Sequence, residues 1–179
     1  MKGLILLLTI AAAAAAGPIT LIPQDGTIAG LAGSTVGWGF QLPADAVNWI
    51  SITGVVTLGE DNPALGVFTD FISPQGGPDF GALAPAGPAW ERNFDAANFQ
   101  GFGSYTIDPG AIAGDHNSGT FLVLYETFTD NPATCGSCFD SSGTAFLDFR
   151  VDVVAAPEPG TALLAGLALG IAGFRCARR

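Results

Sequence analysis

The sequence TVGWGFQL, which spans Thr35–Leu42, alternates large apolar side chains with small or polar ones. Successive side chains of a β-strand point to opposite faces, so this period of two predicts a strand with one buried face. The buried face is predicted to carry Val36, Trp38, Phe40 and Leu42. This stretch therefore places Trp38 and Phe40 in the core of a β protein.

Further strands are predicted along the chain, separated by turn-forming clusters of Gly, Pro, Asp and Asn. They are Trp49–Leu58, Val67–Ile72, Gly101–Ile107, Phe121–Phe128 and Ala145–Val154. The first is predicted to bury Ile50, Ile52, Val56 and Leu58, with Gly54 marking a bulge, and the last to bury Ala145, Leu147, Phe149, Val151 and Val153. Short strands with such connections predict an all-β domain, a single antiparallel β-sandwich or jelly roll. Gly76–Asn98 is predicted to be a long surface loop from which Trp90 and Phe94 pack back onto the core.

The first sixteen residues carry the pattern of a signal peptide. Lys2 supplies a positive charge, Leu4–Ile10 an apolar core, and Ala11–Ala16 the small residues at which signal peptidase cleaves. Residues 1–16 are therefore predicted to be removed near Ala16 during export. No cysteine lies near this junction in the sequence, which excludes a lipoprotein anchor.

The other end of the chain combines three signals in residues 157–179. A rigid Pro-Glu-Pro precedes an uncharged apolar run, Thr161–Phe174, and a basic end follows it. As an ideal helix the run is about 21 Å long, so it spans a hydrocarbon core of roughly 30 Å only with flanking residues and some bilayer thinning. Arginines beside a membrane segment tend to stay in the cytoplasm, so Arg175, Arg178 and Arg179 predict a cytoplasmic anchor.

This three-part tail resembles the PEP-CTERM sorting signal, which bacterial exosortases recognise on proteins bound for the cell surface. The resemblance covers Ala156–Arg179. It implies that an exosortase acts near Pro157, Glu158 and Pro159 and releases or re-anchors the body. Families with such tails tend to accompany exopolysaccharide production, so the resemblance also implies a surface or biofilm-matrix role.

Between the two signals, residues 17–156 have the length of one domain. They hold fifteen acidic and two basic residues, a formal charge of −13. Nucleic acid and anionic membrane surfaces would be repelled by such a body, so no nucleic-acid partner is expected. Lys2 is the last lysine of the sequence, which excludes Schiff-base chemistry and a phosphate-loop lysine in the mature body.

The body contains one C-x-x-C motif, formed by Cys135 and Cys138. A structural disulfide is the favoured interpretation, because the motif lies between two predicted strands of an exported body with no helix to lower a thiol pKa. A redox site and a free or metal-binding pair are the alternatives. Cys176 lies on the predicted cytoplasmic side of the membrane segment and is not their partner.

The remaining motifs give no firm catalytic or metal site. Asp61–Ala64 recurs as Asp130–Ala133, which favours two turns over a pair of calcium-binding loops. His116 lies among Gly, Asp, Asn and Ser residues and is predicted to be a surface-loop histidine, with no G-x-S-x-G elbow to support a Ser/His/Asp triad.

The sequence thus predicts a non-enzymatic exported protein of the surface or extracellular matrix, with no cofactor and no metal. Its expected partners are signal peptidase, an exosortase, the membrane through the C-terminal segment, and exopolysaccharide. The alternative is a carbohydrate-binding β-sandwich module with Trp49 and Trp90 as candidate platforms. Exposed coplanar tryptophans would favour that alternative, whereas two convergent carboxylates in a cleft would favour a third function, that of a hydrolase.

Overall fold

The computed structural model describes residues 19–73 and 81–156, and their regular structure is almost entirely β-sheet. These residues contain ten strands and one short 3-10 helix, Pro63–Leu65. The strands are β1 (Thr20–Ile22), β2 (Thr27–Gly30), β3 (Thr35–Leu42), β4 (Trp49–Leu58), β5 (Gly66–Asp70), β6 (Ala82–Leu83), β7 (Trp90–Arg92), β8 (Gly103–Ile107), β9 (His116–Phe128) and β10 (Phe139–Val153). Within this described part of the chain, no helix is long and apolar enough to cross a membrane.

The strands form two five-stranded sheets. The first has the order β1-β3-β8-β5, with β7 also paired to β3, and the second has the order β2-β10-β9-β4-β6. All pairs are antiparallel except β2 with β10, which run parallel with Thr27 beside Arg150 and Gly30 beside Val153. The predicted all-β class is confirmed, but the prediction of a purely antiparallel arrangement was wrong at this edge. No hairpin joins β2 to β10, so no turn fixes their relative direction.

The core between the two sheets is rich in aromatic side chains. Trp38 of β3 is fully buried and meets Phe121 and Phe149 of the second sheet edge to face, with ring centroids 5.1 and 5.8 Å apart. The indole Nε1 donates to the carbonyl of Gly26 over 2.8 Å, so the one polar atom of this side chain is satisfied. Phe40 is fully buried on the same strand. The predicted burial of Trp38 and Phe40 is therefore confirmed.

Strand β4 changes its buried face halfway along. Ile50 and Ile52 are buried, as predicted. The pairing with β9 shifts register between Ile52 and Gly54, which is the irregularity expected of a β-bulge. One inserted residue exchanges the two faces of a strand, so Val56 and Leu58 are 48% and 41% exposed. Their predicted burial was wrong for this reason.

The other predicted strands are present with shifted ends. β9 begins at His116 rather than Phe121, and β10 begins at Phe139 rather than Ala145, because the two strands pair along most of their length. The inner face predicted for β10 is correct: Ala145, Phe149, Val151 and Val153 are buried, and Leu147 packs against the core.

Four short strands were not predicted. β1 and β2 have three and four residues, and β6 and β7 lie within the predicted long loop Gly76–Asn98. Segments this short show no period of their own and take their conformation from the longer strands beside them. Trp90 does pack back onto Phe40, with ring centroids 5.4 Å apart, and Phe94 stacks on Phe71 at 6.4 Å.

Candidate functional site

The candidate site is a cleft at one end of the two-sheet body, where β3 and β9 end and β4 and β10 begin. We name it the mouth cleft. Its volume is about 370 Å³, which is in the size range of small-ligand sites. The polar side chains that line it are Asp45, Asn48, Tyr125, Thr127 and Ser141, whereas Ser142 pairs with Glu126 and points its side chain to the opposite face of the sheet.

Hydrogen bonds hold the walls of the mouth cleft in place. Asp45 Oδ1 accepts from the backbone N–H groups of Val47 and Asn48 at 2.7 and 2.9 Å, which closes the β3–β4 loop into a tight turn. The Asn48 amide donates to Asp140 Oδ2 over 3.3 Å, and the Thr127 hydroxyl donates to the same oxygen over 3.1 Å. One carboxylate therefore connects the β3–β4 loop, β9 and the start of β10.

Other polar atoms of the mouth cleft are not used by the protein. Within residues 19–73 and 81–156, the hydroxyl of Tyr125 has no hydrogen-bond partner, and neither do Asp45 Oδ2 and Asn48 Oδ1. The hydroxyl is both a donor and an acceptor, and the two remaining oxygens are acceptors. The mouth cleft can therefore form hydrogen bonds with a ligand that has both donors and acceptors.

Tyr125 supplies the aromatic surface of the mouth cleft, and Gly143 sets its position. The two residues are directly opposite each other in the β9–β10 pair. A Cβ atom at Gly143 would overlap the Cζ atom and the hydroxyl oxygen of Tyr125. The ring of Tyr125 therefore occupies the space that a side chain on β10 would otherwise fill, and it packs against the edge of the core.

The charge of the mouth cleft is negative. The N–H groups of Asn48 and Val47 hold the pKa of Asp45 below its ordinary value of 3.8, because they bind the ionised carboxylate. Asp140 brings a second carboxyl group to the same wall through its bonds to Asn48 and Thr127. Together with the acidity of the body, these carboxylates disfavour an anionic ligand.

The opposite end of β9 carries a buried polar network. Asn117 is fully buried, and its amide donates to Glu60 Oε2 over 2.7 Å and to the Tyr105 hydroxyl over 2.9 Å. Its carbonyl oxygen accepts from the N–H of Asn62 over 3.0 Å. Burial is the main cause that raises the pKa of Tyr105. We name Glu60, Asn62, Tyr105 and Asn117 the locked end, because they connect β8, β9 and the loop after β4.

His116, predicted to lie in a surface loop, is exposed but forms the first residue of β9. Its Nε2 lies 3.8 Å from Asp61 Oδ2. The Ser118 hydroxyl donates to Asp61 over 2.7 Å and lowers the pKa of that carboxyl group. A catalytic triad needs the serine to donate to the histidine instead. Asp61, His116 and Ser118 therefore form a surface contact rather than a triad.

The two Asp-Asn-Pro-Ala repeats lie at opposite ends of β9 and form turns. In Asp61–Ala64, the Asn62 carbonyl accepts from the N–H of Leu65, and in Asp130–Ala133 the Asn131 side chain accepts from the N–H of Ala133. A strand of thirteen residues separates them, so they do not meet at one ion. Within the residues described, no group of three or more His, Cys, Asp or Glu side chains is placed to hold a metal.

Cys135 and Cys138 are joined by a disulfide in the loop between β9 and β10, with their Cα atoms 5.8 Å apart. The loop is closed at its base by the N–H of Thr129, which donates to the Cys138 carbonyl over 2.9 Å. In this state neither sulfur is available as a nucleophile or as a metal ligand.

Trp49 and Trp90, the candidate sugar platforms, belong to different sheets and are both partly buried. The Arg92 guanidinium carbon also lies 5.6 Å from the Trp90 ring centroid. The exposed pair of tryptophans is therefore not formed. Tyr125, the aromatic residue of the mouth cleft, was missed because its position depends on the β9–β10 register, which no local sequence pattern encodes.

The predicted sorting residues fall outside the described residues. These are Pro157, Glu158 and Pro159, the apolar run 161–174, and Arg175, Arg178 and Arg179, together with the signal peptide 1–16. No protein-family model matches the chain, and no curated protein is significantly similar to it. The function is therefore inferred from the signals in the sequence and from the geometry of the body.

Proposed function

We propose that this chain is a non-enzymatic exported protein of the cell surface or extracellular matrix, sorted and processed by an exosortase. The observation that carries the proposal is the order of Pro157-Glu158-Pro159, an apolar run and an arginine-rich end in a chain that begins with an export signal. Signal peptidase and the exosortase act on the chain during export, and residues 161–174 contact the membrane. Exopolysaccharide is the proposed partner outside the cell.

The chemistry of the body supports a location outside the cytoplasm. A formal charge of −13 on residues 17–156 favours solubility and opposes binding to nucleic acid and anionic lipid. The disulfide between Cys135 and Cys138 suits an oxidising compartment.

Two features of the body support a non-enzymatic role. Asp61, His116 and Ser118 lack the hydrogen bond from serine to histidine that nucleophilic catalysis requires. Within residues 19–73 and 81–156, the carboxyl groups of Asp45, Asp61 and Asp95 have shifted pKa values, and all three values are lowered. A glycosidase acid instead needs a raised pKa in order to carry a proton at neutral pH.

Replacing the processing motif tests the proposal. Pro157→Ala, Glu158→Ala and Pro159→Ala together should leave the body folded, because they follow β10, and should retain the uncut precursor in the membrane of the native host. The double variant Ala155→Ser and Ala156→Ser is the matched control and should be processed normally. Normal processing of the triple variant would overturn the proposal.

A second candidate function for the body is carbohydrate binding, and the mouth cleft is the observation that favours it. The cleft combines a hydroxyl group without a partner, an ionised carboxylate and an aromatic ring. Sugar-binding sites combine polar and aromatic groups in this way. This function is compatible with the first, because a surface protein that binds polysaccharide would contribute to a matrix.

A further inference from the structure

We propose that the mouth cleft binds a neutral saccharide, with Tyr125, Asp45 and Asn48 as the residues that contact it. The site rests on the second candidate function, and it assigns to that function a place in the fold and a class of ligand. It does not depend on how the tail is sorted, because each contacting residue lies in the body.

The hydrogen-bonding pattern of the mouth cleft selects a ligand with many hydroxyl groups. Asp45 Oδ2 and Asn48 Oδ1 only accept, so the ligand must donate to them. The hydroxyl of Tyr125 donates as well as accepts, so the same ligand must also offer an acceptor. Neighbouring hydroxyls of a sugar supply donors and acceptors at close spacing, whereas an apolar ligand would leave all three atoms unpaired.

The aromatic ring and the shape of the mouth cleft fit a sugar ring. Gly143 leaves room for the ring of Tyr125 over β10, so this side chain is positioned before a ligand arrives. The C–H face of a pyranose can pack on such a ring while its hydroxyls reach the polar wall. The volume of about 370 Å³ is suited to a short segment of an oligosaccharide rather than to a folded partner.

Hydrogen bonds within the protein hold the walls of the mouth cleft in one geometry. Asp140 receives hydrogen bonds from Asn48 and Thr127, and Thr127 Oγ1 also lies 2.8 Å from Ser141 Oγ. These contacts hold the β3–β4 loop against β9 and β10. They do not use the Tyr125 hydroxyl, Asp45 Oδ2 or Asn48 Oδ1, which stay available to the ligand. A preformed wall lowers the entropy lost on binding.

The negative charge of the mouth cleft discriminates between acidic saccharides and saccharides without acidic groups. Asp45 is held ionised by its backbone contacts, and Asp140 lies on the same wall. An ionised carboxylate forms stronger hydrogen bonds with hydroxyl donors than a neutral group does. The same charges repel uronic acids and sulfated sugars. These charges therefore exclude acidic saccharides, and neutral ones satisfy the acceptors with hydroxyl groups alone.

The test uses the full chain in a zwitterionic detergent without a sugar headgroup, because a glycoside detergent would compete for the site. Maltotetraose, cellotetraose and mannotetraose are the neutral probes, tetragalacturonate is the anionic probe, and the tetramer of glucosamine is the cationic probe. Binding is measured by saturation-transfer NMR and titration calorimetry. At least one neutral probe should bind, and tetragalacturonate should not.

Variants locate the binding in the mouth cleft. Tyr125→Phe removes only a hydroxyl and should weaken binding of the neutral probe by roughly five- to tenfold, the effect of one hydrogen bond. Gly143→Ala should weaken it at least as much, because the new methyl group displaces the Tyr125 ring. Gly136→Ala is the control, since a Cβ atom there meets nothing within 4 Å. Ser142→Ala is a second control, because this exposed side chain lies on the opposite face of β10 from Gly143.

Three results would overturn the proposal: no neutral probe binds, only the cationic probe binds, or binding is unchanged in both Tyr125→Phe and Gly143→Ala. Each differs from a failure of sorting. The Pro157→Ala, Glu158→Ala, Pro159→Ala variant should bind the neutral probe as the unchanged chain does, whether or not it is processed in the cell.

Discussion

The two ends of the body carry similar polar side chains and use them differently. At the locked end, Asn117 is fully buried and bonds to Glu60, Asn62 and Tyr105. At the mouth cleft, the hydroxyl of Tyr125 has no hydrogen-bond partner in the described part of the chain. A buried polar group must be paired inside the protein, whereas one in an open cleft can bind water or a ligand. We therefore expect the locked end to determine stability and the mouth cleft to determine recognition.

The largest effect should come from the core that both ends share. Trp38→Ala removes a fully buried ring that contacts Phe121 and Phe149 across the two sheets. The free energy of unfolding should fall by about 3 to 5 kcal/mol, a large part of the stability of a domain. Urea unfolding followed by fluorescence or circular dichroism measures it. An unchanged midpoint would show that the face of β3 was wrongly assigned.

A substitution at the locked end should come next in size. Asn117→Ala leaves the Tyr105 hydroxyl and the Asn62 N–H without their partner, so it should destabilise the body by about 3 kcal/mol. The matched substitution at the mouth cleft, Tyr125→Phe, should change stability by less than about 0.5 kcal/mol because the hydroxyl it removes has no hydrogen-bond partner among the described residues. Equal losses in the two variants would remove the distinction between the ends.

The loop beside the mouth cleft should contribute less than either. Cys135→Ser with Cys138→Ser should lower the free energy of unfolding by about 1 to 2 kcal/mol, because a ring closed over two intervening residues restricts the unfolded chain only slightly. Binding of a neutral saccharide should not change. The protein freshly isolated from outside the cell should contain no thiol that reacts at these positions, and two titratable thiols would contradict the structural role.

The smallest effect should be on the pH dependence of the free energy of unfolding. The Ser118 hydroxyl and then its N–H hold the pKa of Asp61 below 3.8, with a further contribution from His116. A folded pKa below the unfolded one gives stability that is present above about pH 4 and is lost as the pH falls through the folded value. The stability difference between the unchanged chain and Asp61→Asn should therefore shrink between pH 5 and pH 2. Ser118→Ala should reduce this pH dependence, and a difference that stays constant with pH would contradict it.

The fold was predictable from the sequence wherever the pattern was long enough. β3 and the inner face of β10 follow a period of two over many residues, so both were assigned correctly. Val56 shows the limit of this method, because the bulge before Gly54 reverses which residues of β4 point inward. The strands β1, β2, β6 and β7 are too short to show a pattern, and the sequence contains no mark of the parallel pairing of β2 with β10.

The candidate site was not predictable from local sequence. Asp45 and Asn48 come from the β3–β4 loop, and Tyr125 lies on β9, where the register with β10 places it opposite Gly143. None of them belongs to a motif with fixed spacing. The proposed sorting signal shows the opposite case, because its chemistry lies in one continuous stretch, residues 157–179, and is readable without a fold.

The most direct test is to measure on which side of the membrane the body and the C-terminal end of the chain lie. Two single-cysteine chains are compared in spheroplasts of the native host, both with Cys135→Ser, Cys138→Ser and the alanine-substituted Pro157-Glu158-Pro159 motif. One keeps Cys176, and the other carries Cys176→Ser with Ser142→Cys beside the mouth cleft. A membrane-impermeant maleimide should label position 142 at once and Cys176 only after the membrane is permeabilised. Labelling of Cys176 in intact spheroplasts, or protection of position 142, would contradict the account.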